Sequence, residues 1–223
     1  MQRFRFQHLF FLLSLVPVKG IPFHFEGNPA SAEKKGISGV TVSLVRSGNL
    51  QLEAPVPKKV KMRLTGFGVR SRQILFLRPN IYFIQSYIEQ SAPHPQTLSD
   101  WARIRYAYLR LTLVRSVTHS QMTSSFEKGF EVNGWTKSNL PVMTTFLQGF
   151  DFDLSKASEL EFVAIRNSRG LPQQIVFSQG NGKSWDVRGE KIADALWSIW
   201  FGKPVDNQME ELQKQLLLGG RSS

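Results

Sequence analysis

At 223 residues and 41% apolar content, the chain is long enough to bury one substantial core, so a single domain is expected. The absence of cysteine excludes disulfides, thiolate catalysis and zinc–sulfur sites. A formal net charge of +11 favours anionic partners, but the Lys and Arg residues are dispersed and carry no nucleic-acid motif, which argues against a nucleic-acid binder.

Residues 1–20 read as a secretory signal. Arg3 and Arg5 precede an apolar run, Leu9 to Val18, that is too short to span a membrane, and Val18-Lys19-Gly20 stands where a signal peptidase would cut. Lys19 is atypical there, and a buried N-terminal strand or helix is the alternative. Removing this leader leaves a net charge of +8. No later run is long and apolar enough for a transmembrane segment. An exported chain without disulfides fits a bacterial envelope protein, periplasmic or extracellular.

Residues 21–57 form an N-terminal extension punctuated by Gly27, Pro29, Gly36, Gly39, Pro55 and Pro57. Within it, Val40–Val45 and Gln51–Ala54 read as a short hairpin turning across Ser47-Gly48-Asn49. Lys58–Thr65 is the next strand, and it runs into Gly66-Phe67-Gly68-Val69-Arg70. Two glycines there let the chain bend or bulge and let other groups approach the backbone. Ile81–Glu89 is a strand with Tyr82, Ile84, Ser86 and Ile88 on one face. Arg70 and Tyr82 are therefore expected to meet at one end of an apolar surface.

Ser99-Asp100 starts a short helix. Arg105–Arg115 alternates Ala107, Leu109, Leu111 and Leu113 against Tyr106, Tyr108, Arg110 and Thr112, the clearest strand in the chain. Thr118 and Gln121 form a capping box ahead of a helix with Met122, Phe126 and Phe130 on its inner face. Pro141 stands at the first position of a further helix. Glu159–Arg166, Gln173–Ser178 and Ser184–Val187 make an antiparallel meander. A helix over Glu190–Phe201 follows, stopped by Gly202 and Pro204, and Asp206 caps a last one carrying Met209, Leu212 and Leu216. This order predicts an α+β fold with helices on one face of an antiparallel sheet.

Enzyme signatures are sparse. His8, His24, His94 and His119 lack metal-ligand spacing, and no phosphate-binding loop, dinucleotide fingerprint or nucleophile elbow occurs. Neither a metal nor a cofactor is expected. Asp151 and Asp153 read as loop solvation.

The block from GFGVR to Tyr87-Ile88-Glu89 resembles the chalcone isomerase superfamily. ALWSIWFG (Ala195–Gly202) and VDNQMEELQKQLLLG look like its C-terminal helices, and LVRSVTHSQMTSSFEKGFEVNG is similar to its bacterial exported branch. The resemblance covers residues 58–219, within a domain placed at residues 58–220. It implies an open-faced β-sandwich, a long antiparallel sheet with helices packed on one face. In the plant enzymes of that superfamily, an arginine, a threonine and a Tyr/Lys/Asn set on a helix stabilise charge during ring closure. Only Arg70 matches here. Tyr82 stands at the threonine position, Met122, Ser125 and Gly129 stand at the helix positions, and Ile199 replaces a late Ser/Thr, so no catalytic residue is assigned.

An Arg–Tyr pair resembles instead the superfamily's fatty-acid-binding branch, and the implied partner is a small amphipathic carboxylate. Arg70 and Tyr82 would hold the carboxylate, with Arg115 and Met122 as further pocket residues. Two other readings stay open: an isomerase or intramolecular lyase acting on an enone, and an envelope interaction module without a ligand. Arg70 has a structural alternative, an ion pair with an acid at the sheet edge, and Tyr82 has one as a core tyrosine.

Overall fold

A computed structural model of the chain describes residues 34–37, 40–45, 49–53, 59–73, 78–166, 173–179 and 184–218. The expected leader, the stretch up to residue 33, and the turns at 46–48, 167–170 and 180–182 lie outside the described residues.

Among the described residues, nine strands form one antiparallel sheet in which every strand pairs with its neighbours in sequence. They are β1 (Lys34–Ile37), β2 (Val40–Val45), β3 (Asn49–Glu53), β4 (Lys59–Ser71), β5 (Asn80–Glu89), β6 (Tyr106–Leu113), β7 (Glu159–Ile165), β8 (Gln173–Ser178) and β9 (Ser184–Gly189). Helix α1 (Leu98–Arg103) lies between β5 and β6 in the chain, and α2 (His119–Val132) and α3 (Val142–Gln148) lie between β6 and β7. Helices α4 (Ile192–Phe201) and α5 (Asn207–Leu218) follow β9. The fold is α+β, with the helices packed on one face of the sheet.

Period-two alternation decides what each face carries. Ile84 and Ile88 of β5, Leu109 and Leu111 of β6, Phe162 of β7 and Ile175 and Phe177 of β8 are buried against the helices. The opposite face buries a smaller cluster that includes Met62, Tyr87, Tyr108, Val163 and Val176. On that second face the Tyr108 hydroxyl donates to Glu161, 2.8 Å away, and Arg110 pairs with Glu159. Helix α4 is buried all round, with only Asp194 reaching the surface, so it forms the inner layer against which α1, α2 and α5 pack.

Local signals explain the boundaries. Thr97 and Thr118 each close a capping box, with Asp100 and Gln121 at the third helical position. Pro141, in helical conformation, leads into α3. The Asp206 carboxylate accepts from the Met209 backbone N–H at 2.8 Å and so caps α5.

Strand β4 departs from expectation by running unbroken through the glycines to Ser71. A bulge at Thr65 reconciles this with its two faces. Leu64 pairs with Tyr87, but Gly66 already pairs with Ser86. The extra residue turns Val60 and Met62 to the second cluster and Gly66, Gly68 and Arg70 to the helix side. The Thr65 hydroxyl, 3.0 Å from the Ser86 carbonyl oxygen and 2.6 Å from its Oγ, holds the bulge in place. Strand β1 is a further element that the sequence pattern did not announce.

No helix among the described residues is long and apolar enough to cross a membrane. Nor do the described residues bring three His, Asp or Glu side chains together in a metal-binding arrangement.

Candidate functional site

Arg70 and Tyr82 are direct cross-strand partners on β4 and β5, and Tyr82 pairs in turn with Leu113 of β6. The register therefore brings the two residues together on the helix side of the sheet. Arg70 is buried, with a side-chain exposure of 10%, so its charge needs a partner. That partner comes from the far end of the chain. Its two terminal nitrogens donate to the two carboxylate oxygens of Asp206 at 2.9 and 2.7 Å, a bidentate pair, and one of them also donates to the Ser71 carbonyl at 2.8 Å.

Asp206 has two roles at once, since the oxygen that caps α5 also accepts from Arg70. Partial desolvation raises its pKa. The hydrogen bond from Arg70, the Met209 backbone N–H and the charges of Arg70 and Lys128 outweigh that and hold the carboxyl below its ordinary value.

The Tyr82 hydroxyl accepts a hydrogen bond from the indole N–H of Trp200, on α4, at 3.0 Å. Desolvation raises the phenol's pKa, and the Asp206 charge adds to this. The Trp200 bond and the Arg70 charge offset only part of it. Tyr82 thus keeps its proton through the neutral range.

The glycines explain how α5 reaches Arg70. A Cβ on Gly66 would lie 2.0 Å from the backbone oxygen of Leu216, and one on Gly68 would lie 2.4 Å from a Leu212 methyl. The group that approaches this bare backbone is the chain's own C-terminal helix. Between these two contacts the Val69 N–H donates to the Gln215 side chain at 2.9 Å, which fixes the helix to the strand.

Behind Trp200 the interior is aromatic. Phe126 and Phe162 lie 6.2 and 6.0 Å from its ring, and Phe146, Phe150 and Phe177 continue the cluster at centroid spacings of 5.0–5.4 Å. Met122 belongs to this same core on α2, buried. Ser125 is exposed and donates to the Gln121 carbonyl one turn back. Gly129 is buried beneath Ile199, whose side chain a Cβ would meet at 3.0 Å. Arg115 lies just beyond β6 near the same end of the sheet, but its side chain is exposed.

The structure thus joins Arg70 and Tyr82, packs Met122 into the core behind them, and leaves Arg115 outside. Asp206 and Trp200 are the two residues that the sequence reading did not assign to the site. Asp206 was legible only as a cap, and Trp200 only as part of a buried stripe.

A protein-family model described as chalcone isomerase-like matches residues 49–219, from the start of β3 to just past α5. No curated protein matches the sequence. The match spans well over half of the chain and contains Arg70, Tyr82, Trp200 and Asp206, and on that basis the chain belongs to the chalcone isomerase-like family.

Proposed function

We propose that this is an exported, non-catalytic chalcone isomerase-like protein that binds a small amphipathic carboxylate between sheet and helices, with Arg70 and Tyr82 as the polar end of the site. One observation carries the reading: Arg70 already holds a carboxylate, that of Asp206, in bidentate form beside the Tyr82 hydroxyl. A ligand acid would exchange with Asp206 rather than meet a bare cation. The exchange replaces one charge-assisted pair, about 1.5–3 kcal/mol net, with another of the same kind. Asp206, with 38% side-chain exposure, rehydrates readily when released. Affinity would then come from the acyl chain at about 0.8 kcal/mol per buried methylene. Helix α5 is the element that would move, since it carries Asp206 and lies on Gly66 and Gly68.

The non-catalytic part rests on the α2 positions. Met122 is buried, Ser125 faces solvent and Gly129 has no side chain, so none of these three positions offers the Arg70–Tyr82 end a charge or a proton donor to stabilise a developing oxyanion, and the Lys128 charge on α2 acts on Asp206.

The packed rings from Phe126 to Phe177 favour a second reading, an interaction module whose interior is filled by its own side chains. Native mass spectrometry with added long-chain fatty acid separates the two. The first reading expects a retained acid that Arg70→Ala abolishes and Asp206→Asn strengthens, because Asn keeps the helix cap and removes the competing charge. Clean ligand-free spectra for both the parent protein and Asp206→Asn would leave the second reading standing. Turnover of a chalcone lost in Arg70→Ala would overturn both.

A further inference from the structure

A polar hollow lies at the end of the β4–β5 hairpin opposite Arg70, about 30 Å along β4 from it by the rise of an extended strand. It is a cleft of about 450 Å³ lined by Val60, Lys61, Glu89, Gln90, Ser91, Arg105 and Tyr106. The bulge at Thr65 turns Val60 to the face away from the helices, and Tyr106 shares that face, so the cleft is separate from the Arg70 site in position and its apolar floor lies on the other side of the sheet.

Its construction has three parts. Val60 and Tyr106 are buried and form an apolar floor. The backbone around it is pinned: the Gln90 N–H donates to the Lys61 carbonyl at 2.8 Å, and the Arg105 N–H donates to a Glu89 carboxylate oxygen at 2.9 Å. The rim carries Lys61 and Arg105, both exposed, and neither has a carboxylate partner among the described residues. The Arg105 guanidinium instead lies over the Tyr106 ring, 5.1 Å from its centroid, which orients the planar group and leaves its N–H edges for another acceptor.

We propose that this cleft binds a phosphate monoester carried on a small flat or apolar body. Two cations match the charge of a monoester, which is close to dianionic at neutral pH. The three terminal oxygens of a phosphate suit the Lys61 ammonium, the Arg105 guanidinium edge and the Ser91 hydroxyl, one group to each. The apolar floor takes the body of the ester. Glu89 also lines the cleft, where one of its carboxylate oxygens accepts from the Arg105 backbone N–H, so the lining carries two cations and one carboxylate.

The test is titration of the ¹⁵N-labelled protein with phenyl phosphate, benzoate, and vesicles of phosphatidylcholine with or without phosphatidic acid. Amide shifts at Gln90, Ser91 and Tyr106 with phenyl phosphate, weakened about tenfold in Lys61→Ala and in Arg105→Ala, would support the site and a soluble ester. The same shifts with phosphatidate vesicles alone would support it with a lipid headgroup as the source. Equal response to benzoate, shifts insensitive to both substitutions, or no response to either phosphate would overturn it. Both altered side chains are exposed, so the fold is expected to survive them.

Discussion

A guanidinium as sheltered as that of Arg70 stays ionised only if its charge is met inside the protein, and the bidentate contact with Asp206 meets it. The pair also makes stability depend on pH. Asp206 has a folded pKa below its ordinary value, so its contribution is fully present above the ordinary aspartate range and is lost as pH falls through the depressed value. Urea unfolding should therefore show Asp206→Asn less stable than the parent at pH ~7 by about 1 kcal/mol, a small figure because the carboxylate is 38% exposed. The gap should be smaller at a second pH below the ordinary aspartate value, where the depressed carboxyl begins to take up its proton. A gap of equal size at both pH values would mean that charge is not what Asp206 supplies. At this scale the sequence was half legible. Alternation along Ile81–Glu89 put Tyr82 on an apolar face with Arg70 near its end, but the strand before it was expected to stop at Thr65, so the bulge that sets Arg70 opposite Tyr82 was not readable. Their other partners were not readable, since Asp206 lies 136 residues from Arg70 and Trp200 lies 118 from Tyr82, and only tertiary packing joins them.

Among the elements, β4 and α5 depend on each other most closely. The strand supplies bare backbone at Gly66 and Gly68, and the helix supplies Leu212, Gln215 and Leu216 to cover it. The two glycines should not tolerate substitution equally. Gly66→Ala drives a methyl into helix backbone, which cannot yield without moving α5, whereas Gly68→Ala meets the end of a leucine side chain that can rotate. We expect Gly66→Ala to cost about 2–3 kcal/mol and Gly68→Ala appreciably less, with earlier proteolysis of the C-terminal helix in the first only. Denaturation curves and timed protease digestion read both, and equal effects would contradict the tight backbone contact. The sequence announced close approach at these glycines but not the identity of the approaching group, because a bare backbone admits a ligand and a helix alike. Strand β1 escaped notice for a different reason: Lys-Lys-Gly-Ile has almost no apolar alternation, and its pairing with β2 is what makes it a strand.

For the whole molecule, the architecture was the most legible level. Strands in sequence order and the capped helices α1, α2 and α5 leave their signals in short windows, and the caps at Thr118 and Asp206 stood where they were expected. Export is a proposal at this level, resting on the first 20 residues of the sequence. Expression in a Gram-negative host followed by N-terminal sequencing of the product should give Ile21 as the first residue. A chain still starting at Met1 in the cytoplasmic fraction would refute it. The meander has a consequence for the order in which the molecule is completed. Each strand finds its partner in the segment made just before it, so the sheet can assemble progressively as the polypeptide is produced. The contact between Val69 and Gln215 spans 146 residues and must wait for the last helix. A chain cut short before that helix would carry a finished sheet with an uncompensated cation and an open strip of backbone on it, a mark by which quality-control proteases could tell an incomplete copy from a whole one.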